Sequence, residues 1–323
     1  MKNAKKYIKL YEEKAEESFK DWGYYYPPKT WDEFYAWETK SFEKYLKETE
    51  DYIKKTKSYV ALLGTTKDFG FYIAFQKLDY ALLNNVLYQT SRQALLSSGM
   101  TASGSDHCNL LLDAITAFAC NDFEVIKYFF PKKLRHSKGT YYTEVSVNLL
   151  KVLYYQENEL KDKALKKAEI FLEAKRSLWE KYVVLYFISL INQNEEEATR
   201  CLQELCSAYQ KIGYPMSKLD KCFAAEVHGL YRFARIIDEN LFNKITQPKH
   251  ACFSEAFELW QKANHFPKGQ LFYRHPEEMD YMNKIFEAEL PTVALHNPYS
   301  DKREVKDVEK FAIDLTENVK KIV

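Results

Sequence analysis

Apolar residues recur along most of the chain at spacings of three and four, the repeat that places side chains on one face of a helix. Residues 3–22 read this way, with Tyr7, Leu10, Tyr11 and Phe19 near one side. "YYYPPKT" then stops the helix, because its two prolines cannot continue it. Thr30 and Glu33 of "TWDE" have capping-box spacing, in which each side chain satisfies a free backbone amide at a helix start. The helix they open is expected to run to about Leu63. "GTTKDFG" separates it from another long helix expected over 68–97. "SSGMTASGSD", 97–106, reads as a flexible loop.

Beyond that loop the pattern becomes periodic. Asn121, Asn158 and Asn194 lie 37 and then 36 residues apart, each at a break in helical patterning. Nine residues before them stand Leu112, Leu149 and Leu185; six before, Ile115, Val152 and Ile188; three before, Phe118, Tyr155 and Ile191. An acidic residue follows each break (Asp122, Glu159, Glu195), where negative charge suits the positive end of the next helix. Two helices in such a period lie near the tetratricopeptide repeat (TPR), although the glycine and tryptophan positions of that signature are absent. A lone helix pair leaves an apolar face uncovered, and stacking neighbours would bury it. The pattern continues irregularly through 218–242 and 252–263, is interrupted by Pro267 and Pro276, and ends in a helix expected over about 303–321.

The fold expected is therefore all-α, with antiparallel helix pairs stacked in a TPR-like superhelical array. Residues 1–100 would form an N-terminal long-helix hairpin region and 101–265 the array. Residues 266–323 would form an irregular segment and capping helix, all within one continuous fold.

Composition agrees with this reading. Nine glycines and nine prolines are few among 323 residues, and helix interiors tolerate these two least. Hydrophobic residues make up 46%, enough for a large core, and aromatics at 16% suit thick seams between helices. Lys and Arg total 47 against 46 Asp and Glu, a balance unlike that of a general nucleic-acid binder. No secretory h-region opens the sequence, and no run approaches the roughly 18 apolar residues of a membrane span, so a cytoplasmic protein without membrane contact is expected. In that compartment the six cysteines read as small buried hydrophobes.

Reaction chemistry is hard to find. "SGSDH", 103–107, places Ser, Asp and His side by side, but a catalytic triad converges from separate parts of a fold. Ser105 or Asp106 as a helix N-cap is the simpler reading. Cys201 and Cys206 are five apart, with no Cys-x-x-Cys or His-x-x-x-His pair to complete a zinc set. Glycine-rich phosphate loops are absent. No catalytic residue, metal or cofactor is assigned.

Two basic stretches are candidates for partner contact. "PKKLRHSKG", 131–139, gathers Lys132, Lys133, Arg135, His136 and Lys138, and reads either as a dock for an acidic partner or phosphate or as a solvated loop. "HGLYRFAR" aligns His228, Arg232, Arg235 and Glu239 along one helical stripe, with Tyr231 beside it. That stripe reads either as a carboxylate-binding donor set or as the helix's solvent side. Aromatics in "GYYYPP" and "QLFYRHP" are either hot-spot contacts or packing at the array ends.

Residues 108–275 resemble the immunity protein 49 family of bacterial polymorphic toxin systems. The resemblance rests on "LLLDAITAFACNDFEVIKYFFP", "LLKVLYYQENELKDKALKKAEIFLEA", "VVLYFISLINQNEEEATRCLQELCSAY" and "FAAEVHGLYRFAR". It covers about half the chain, leaves the aromatic N-terminal part uncovered, and has Asn where many relatives are expected to carry Gly before the acidic residue. It implies a helical cytoplasmic protein, not an enzyme, that neutralises a cognate toxin by direct stoichiometric binding. A TPR-like adaptor or regulator that binds a peptide or protein is the alternative.

Overall fold

Backbone groups that leave water must pair, and a chain poor in glycine and proline pairs them locally, in helices. The computed structural model describes residues 2–45, 47–61, 66–101, 105–213, 216–297 and 304–322. Among them lie sixteen α-helices and a single pair of two-residue strands, so the protein is all-α. The chain forms two compact units, Asp106–Phe266 and a second made of Met1–Ser105 with Pro267–Val323.

The discontinuous unit begins with α1 (Lys2–Trp22), α2 (Trp31–Tyr45), α3 (Tyr52–Ala61), α4 (Thr66–Lys77) and α5 (Tyr80–Met100). α1 packs on α4 and buries Ala4, Tyr7, Tyr11, Ala15 and Ser18. Leu10 is only half-buried and Phe19 is exposed, so the buried stripe is narrower than the expected one. Tyr11 stacks on Tyr72 at 4.2 Å and donates to the Pro28 carbonyl at 2.7 Å. The capping box forms: the Glu33 amide donates to Thr30 Oγ1 and the Thr30 amide to Glu33 Oε2, each at 3.2 Å.

Two expected long helices are each divided. Asp51 opens a new helix by accepting from the amides of Ile53 and Lys54 at 2.9 and 3.1 Å, which ends the helix expected to reach Leu63. Leu78 adopts a left-handed φ of 53°, and Asp79 then caps α5 through the Leu82 amide at 2.9 Å, which divides 68–97. Part of "GTTKDFG" (64–65) and part of the expected loop (102–104) lie outside the described residues. The first half of that loop is helical, because α5 continues through Met100.

The continuous unit holds α6 (Leu111–Phe118), α7 (Val125–Phe129), α8 (Tyr142–Tyr155), α9 (Asn158–Glu173), α10 (Leu178–Ile191), α11 (Glu195–Tyr209), α12 (Ala225–Ile237), α13 (Glu239–Lys244) and α14 (Glu255–Ala263). Left-handed residues at Asn121, Gln156 and Gln193, 35 and 37 apart, end α6, α8 and α10. After each, the next amide reaches back five residues: Asp122 to Ala117 O, Glu157 to Val152 O and Asn194 to Ser189 O, at 3.1, 3.2 and 2.9 Å. This is the Schellman closure, which satisfies helix-end carbonyls. The three asparagines do different jobs. Asn121 is itself left-handed and donates to Gln261 Oε1 at 2.9 Å. Asn158 is the first residue of α9, while Asn194 caps α11 by accepting from the Glu197 amide at 2.9 Å.

α8 packs with α9, α10 with α11, and α8 against α10. α7 is a single short turn, so the first expected pair lacks a full second helix. α6 packs instead on α12, which also touches α11. The crossing is close: a Cβ on Gly229 of α12 would lie 1.8 Å from the Ile115 carbonyl oxygen of α6. The residue type therefore sets the distance between these two backbones.

After residue 266 the chain returns to the discontinuous unit with α15 (Asp280–Glu287), the strands β1 (Leu295–His296) and β2 (Val305–Lys306), and α16 (Val308–Lys320). Within that unit the final helix packs on α3, α5 and α15, and Gly99 leaves room for the Phe311 ring.

Candidate functional site

The connection between α7 and α8 contains no acidic residue, and its exposed side chains include Lys132, Lys133, Arg135 and Lys138. A loop of this composition is ordinarily mobile and solvated. Here its backbone is held from below. Asn148 of α8 clamps Ser137 through its amide and carbonyl at 2.9 and 3.0 Å, and Lys167 of α9 donates to the same carbonyl at 2.7 Å. Lys151 of α8, itself buried, donates to the carbonyls of Leu134 and, at 3.4 Å, of Lys132.

His136 Nε2 lies 2.7 Å from Glu157 Oε2. Burial draws the His136 pKa below the ordinary histidine value against the pull of Glu157. Burial likewise lowers the Lys151 pKa, opposed by the Glu157 charge. Ser137 Oγ contacts both Asp106 Oδ2 at 3.1 Å and Glu144 Oε1 at 2.9 Å. The inward-facing polar groups thus fix the loop, while the four outward cations form no ion pair among the described residues.

Asp106 belongs to the same support. It caps the turn at 107–110 by accepting from the Cys108 amide at 3.0 Å, the role expected for this position. Burial raises its pKa, but hydrogen bonding and charge from His107, with the Cys108 amide, outweigh burial and hold it at about 2. The neighbours of "SGSDH" thus work in structure, and Ser103 lies outside the described residues.

The "HGLYRFAR" stripe lies elsewhere than expected. His228 and Arg232 are 0% exposed and Tyr231 is buried, so none of the three faces solvent or a partner. The His228 ring is sandwiched between Phe223 and Phe253, with centroids at 4.6 and 4.0 Å and planes within 13°. Its Nε2 accepts from the Ser254 amide at 3.1 Å, which places the ring proton on Nδ1 for donation to Glu258 Oε1 at 2.6 Å. Burial lowers the His228 pKa, with a smaller push from Arg232.

Arg232 Nη2 meets the other Glu258 oxygen at 2.5 Å, and its guanidinium lies over the rings of Phe266 and Phe257 at 4.9 and 6.0 Å. Arg235 is half-buried against Phe266 at 4.3 Å, and only Glu239 is fully on the surface. The sequence missed Glu258, the partner that allows these groups to be buried, because it comes from α14, thirty residues away.

The aromatic segments divide as well. In "QLFYRHP" Tyr273 and His275 are buried core groups, and His275 Nε2 pairs with the Tyr59 hydroxyl. Around "GYYYPP", Trp22 and Tyr24 remain exposed, with Tyr24 and Tyr26 rings against Trp37.

The class that fold and site define is an all-α protein with a rigidly mounted basic loop. Compared with protein-family models, curated proteins and solved structures, the chain matches none. Among the described residues no helix is long and apolar enough to cross a membrane.

Proposed function

We propose that the protein is a cytoplasmic immunity protein that binds a cognate bacterial toxin stoichiometrically and blocks it by occlusion, without a catalytic step. In this reading the helix pairs of residues 106–266 form a TPR-like array whose use is to present a surface. The observation that carries the proposal is the pinned basic loop, in which Lys132, Lys133, Arg135 and Lys138 project from a backbone fixed by Asn148, Lys151 and Lys167. A preordered loop loses little conformational entropy on binding, and charge of one sign speeds encounter with an acidic partner. The resemblance of 108–275 to the immunity protein 49 family supplies the kind of partner.

Co-expression with the toxin encoded beside this chain's gene tests the reading. Growth should be rescued and the two proteins should co-purify in a one-to-one complex. A chain that captures acidic peptides without protecting cells would instead be an adaptor.

A further inference from the structure

The loop 246–254 between α13 and α14 docks along one face of α11. The Thr246 amide donates to Thr199 Oγ1 at 3.0 Å, and the Lys249 amide to Gln203 Oε1 at 2.9 Å. The next residue on that face is Cys206, completing an i, i+4, i+7 row. Opposite it the loop places His250 and Cys252, and the ligand-capable atoms of the three residues lie within 4.8 Å of one another. The Cys252 carbonyl is fixed by the Ala224 amide at 2.9 Å, which anchors the loop from its other side.

His250 Nδ1 accepts from the Cys252 amide at 3.3 Å, so this nitrogen carries no proton, and it lies 3.1 Å from Cys252 Sγ. Cys206 and Cys252 are buried while His250 is half-buried.

We propose that Cys206, His250 and Cys252 form a zinc site that staples the 246–254 loop to α11. Two thiolates and one imidazole nitrogen are a borderline-soft donor set, and a solvent molecule makes the fourth tetrahedral ligand. Bond lengths of about 2.3 Å to sulfur and about 2.0 Å to nitrogen require ligand atoms about 3.5–3.8 Å apart. The observed spread, from 3.1 Å to within 4.8 Å, brackets that value, so only small side-chain shifts are needed. Binding releases the two thiol protons to solvent, and no electron is transferred. Metal at this site would also fix Phe253 and Ser254, which hold His228 in its tautomer. This site is independent of the toxin-binding reading.

The test is zinc titration of the intact, reduced and chelator-stripped chain against a chromophoric competitor, with Tm measured alongside. One zinc per chain should bind and raise Tm. Cobalt(II) should give a thiolate-to-metal charge-transfer band in the wild-type protein. His250→Ala, which removes a half-buried ligand, should weaken zinc at least tenfold, and Cys206→Ser with Cys252→Ser should abolish the band. Sub-stoichiometric zinc, no cobalt band, or oxidation of Cys206 with Cys252 to a disulfide that zinc does not prevent would overturn the proposal.

Discussion

Gly229→Ala tests the packing that closes the helix pairs of residues 106–266. The added Cβ would stand 1.8 Å from the Ile115 carbonyl oxygen, 2.8 Å from its carbon and 3.2 Å from Cγ2. A carbon and an oxygen need about 3.2 Å, so α12 and α6 must separate by about 1.4 Å, well outside the dispersion well of neighbouring contacts. The contacts at stake include the stacked rings of Phe118 and Phe233, at 5.4 Å. Alanine gains about 1 kcal/mol in helix propensity. Overpacking costs about 1–3 kcal/mol, and here the clash is with backbone that cannot rotate away, so about 3 kcal/mol is the relevant end.

The net effect is a loss of about 2 kcal/mol. Urea denaturation followed by far-UV circular dichroism reads it as a lowered midpoint at constant slope. Gly213→Ala, where a Cβ meets nothing within 4 Å, is the control and should change stability by less than about 0.5 kcal/mol. Gly229→Ala as stable as the wild type would refute the close crossing of α6 and α12.

Three further outcomes follow from the same structure. Glu258→Ala leaves the Arg232 guanidinium buried without its counter-ion and should cost about 3–5 kcal/mol in urea denaturation; a loss below about 1 kcal/mol would contradict the buried pair. Gln193→Gly relieves a left-handed non-glycine residue at an exposed turn and should raise stability by about 0.5 kcal/mol, whereas Gln193→Val should lower it. Burial lifts the Glu38 carboxyl from 4.5 to about 7, with the nearby Tyr273 side chain opposing the rise. The folded chain therefore holds a proton that the unfolded chain has lost, so stability falls as pH rises from 4.5 through about 7, by about 3 kcal/mol in all. Glu38→Gln should flatten that decline in denaturation midpoints, and an unchanged pH profile would refute the assignment.

Local signals survived the passage from sequence to structure, and long-range ones did not. The Thr30–Glu33 box and the Asp106 cap are set by residues within three positions, and both form. The periodic breaks after α6, α8 and α10 are present, but the left-handed residues mark them: Asn121, Gln156 and Gln193, not the three asparagines as a set. Nothing in "KLDY" distinguished a left-handed Leu78 from a continuing helix, since leucine is a good helix former; the Asp79 cap decided it. The polar stripe on α12 was visible as a pattern, yet its burial depends on Glu258 and on two phenylalanine rings from other segments. The proposed zinc ligands are not legible in the sequence, because His250 and Cys252 form no standard spacing and Cys206 lies more than forty residues upstream. Only docking of the loop on α11 brings them together.

The most direct measurement of the central claim is binding of the proposed cognate toxin by the wild-type chain and by Lys132→Glu/Lys133→Glu/Arg135→Glu at low and physiological salt. The wild type should form a one-to-one complex, and the charge-reversed chain should associate about 10–100-fold more slowly at low salt, with folding intact. No complex with the wild-type chain, or equal association rates for both chains, would contradict a basic loop that recruits a toxin.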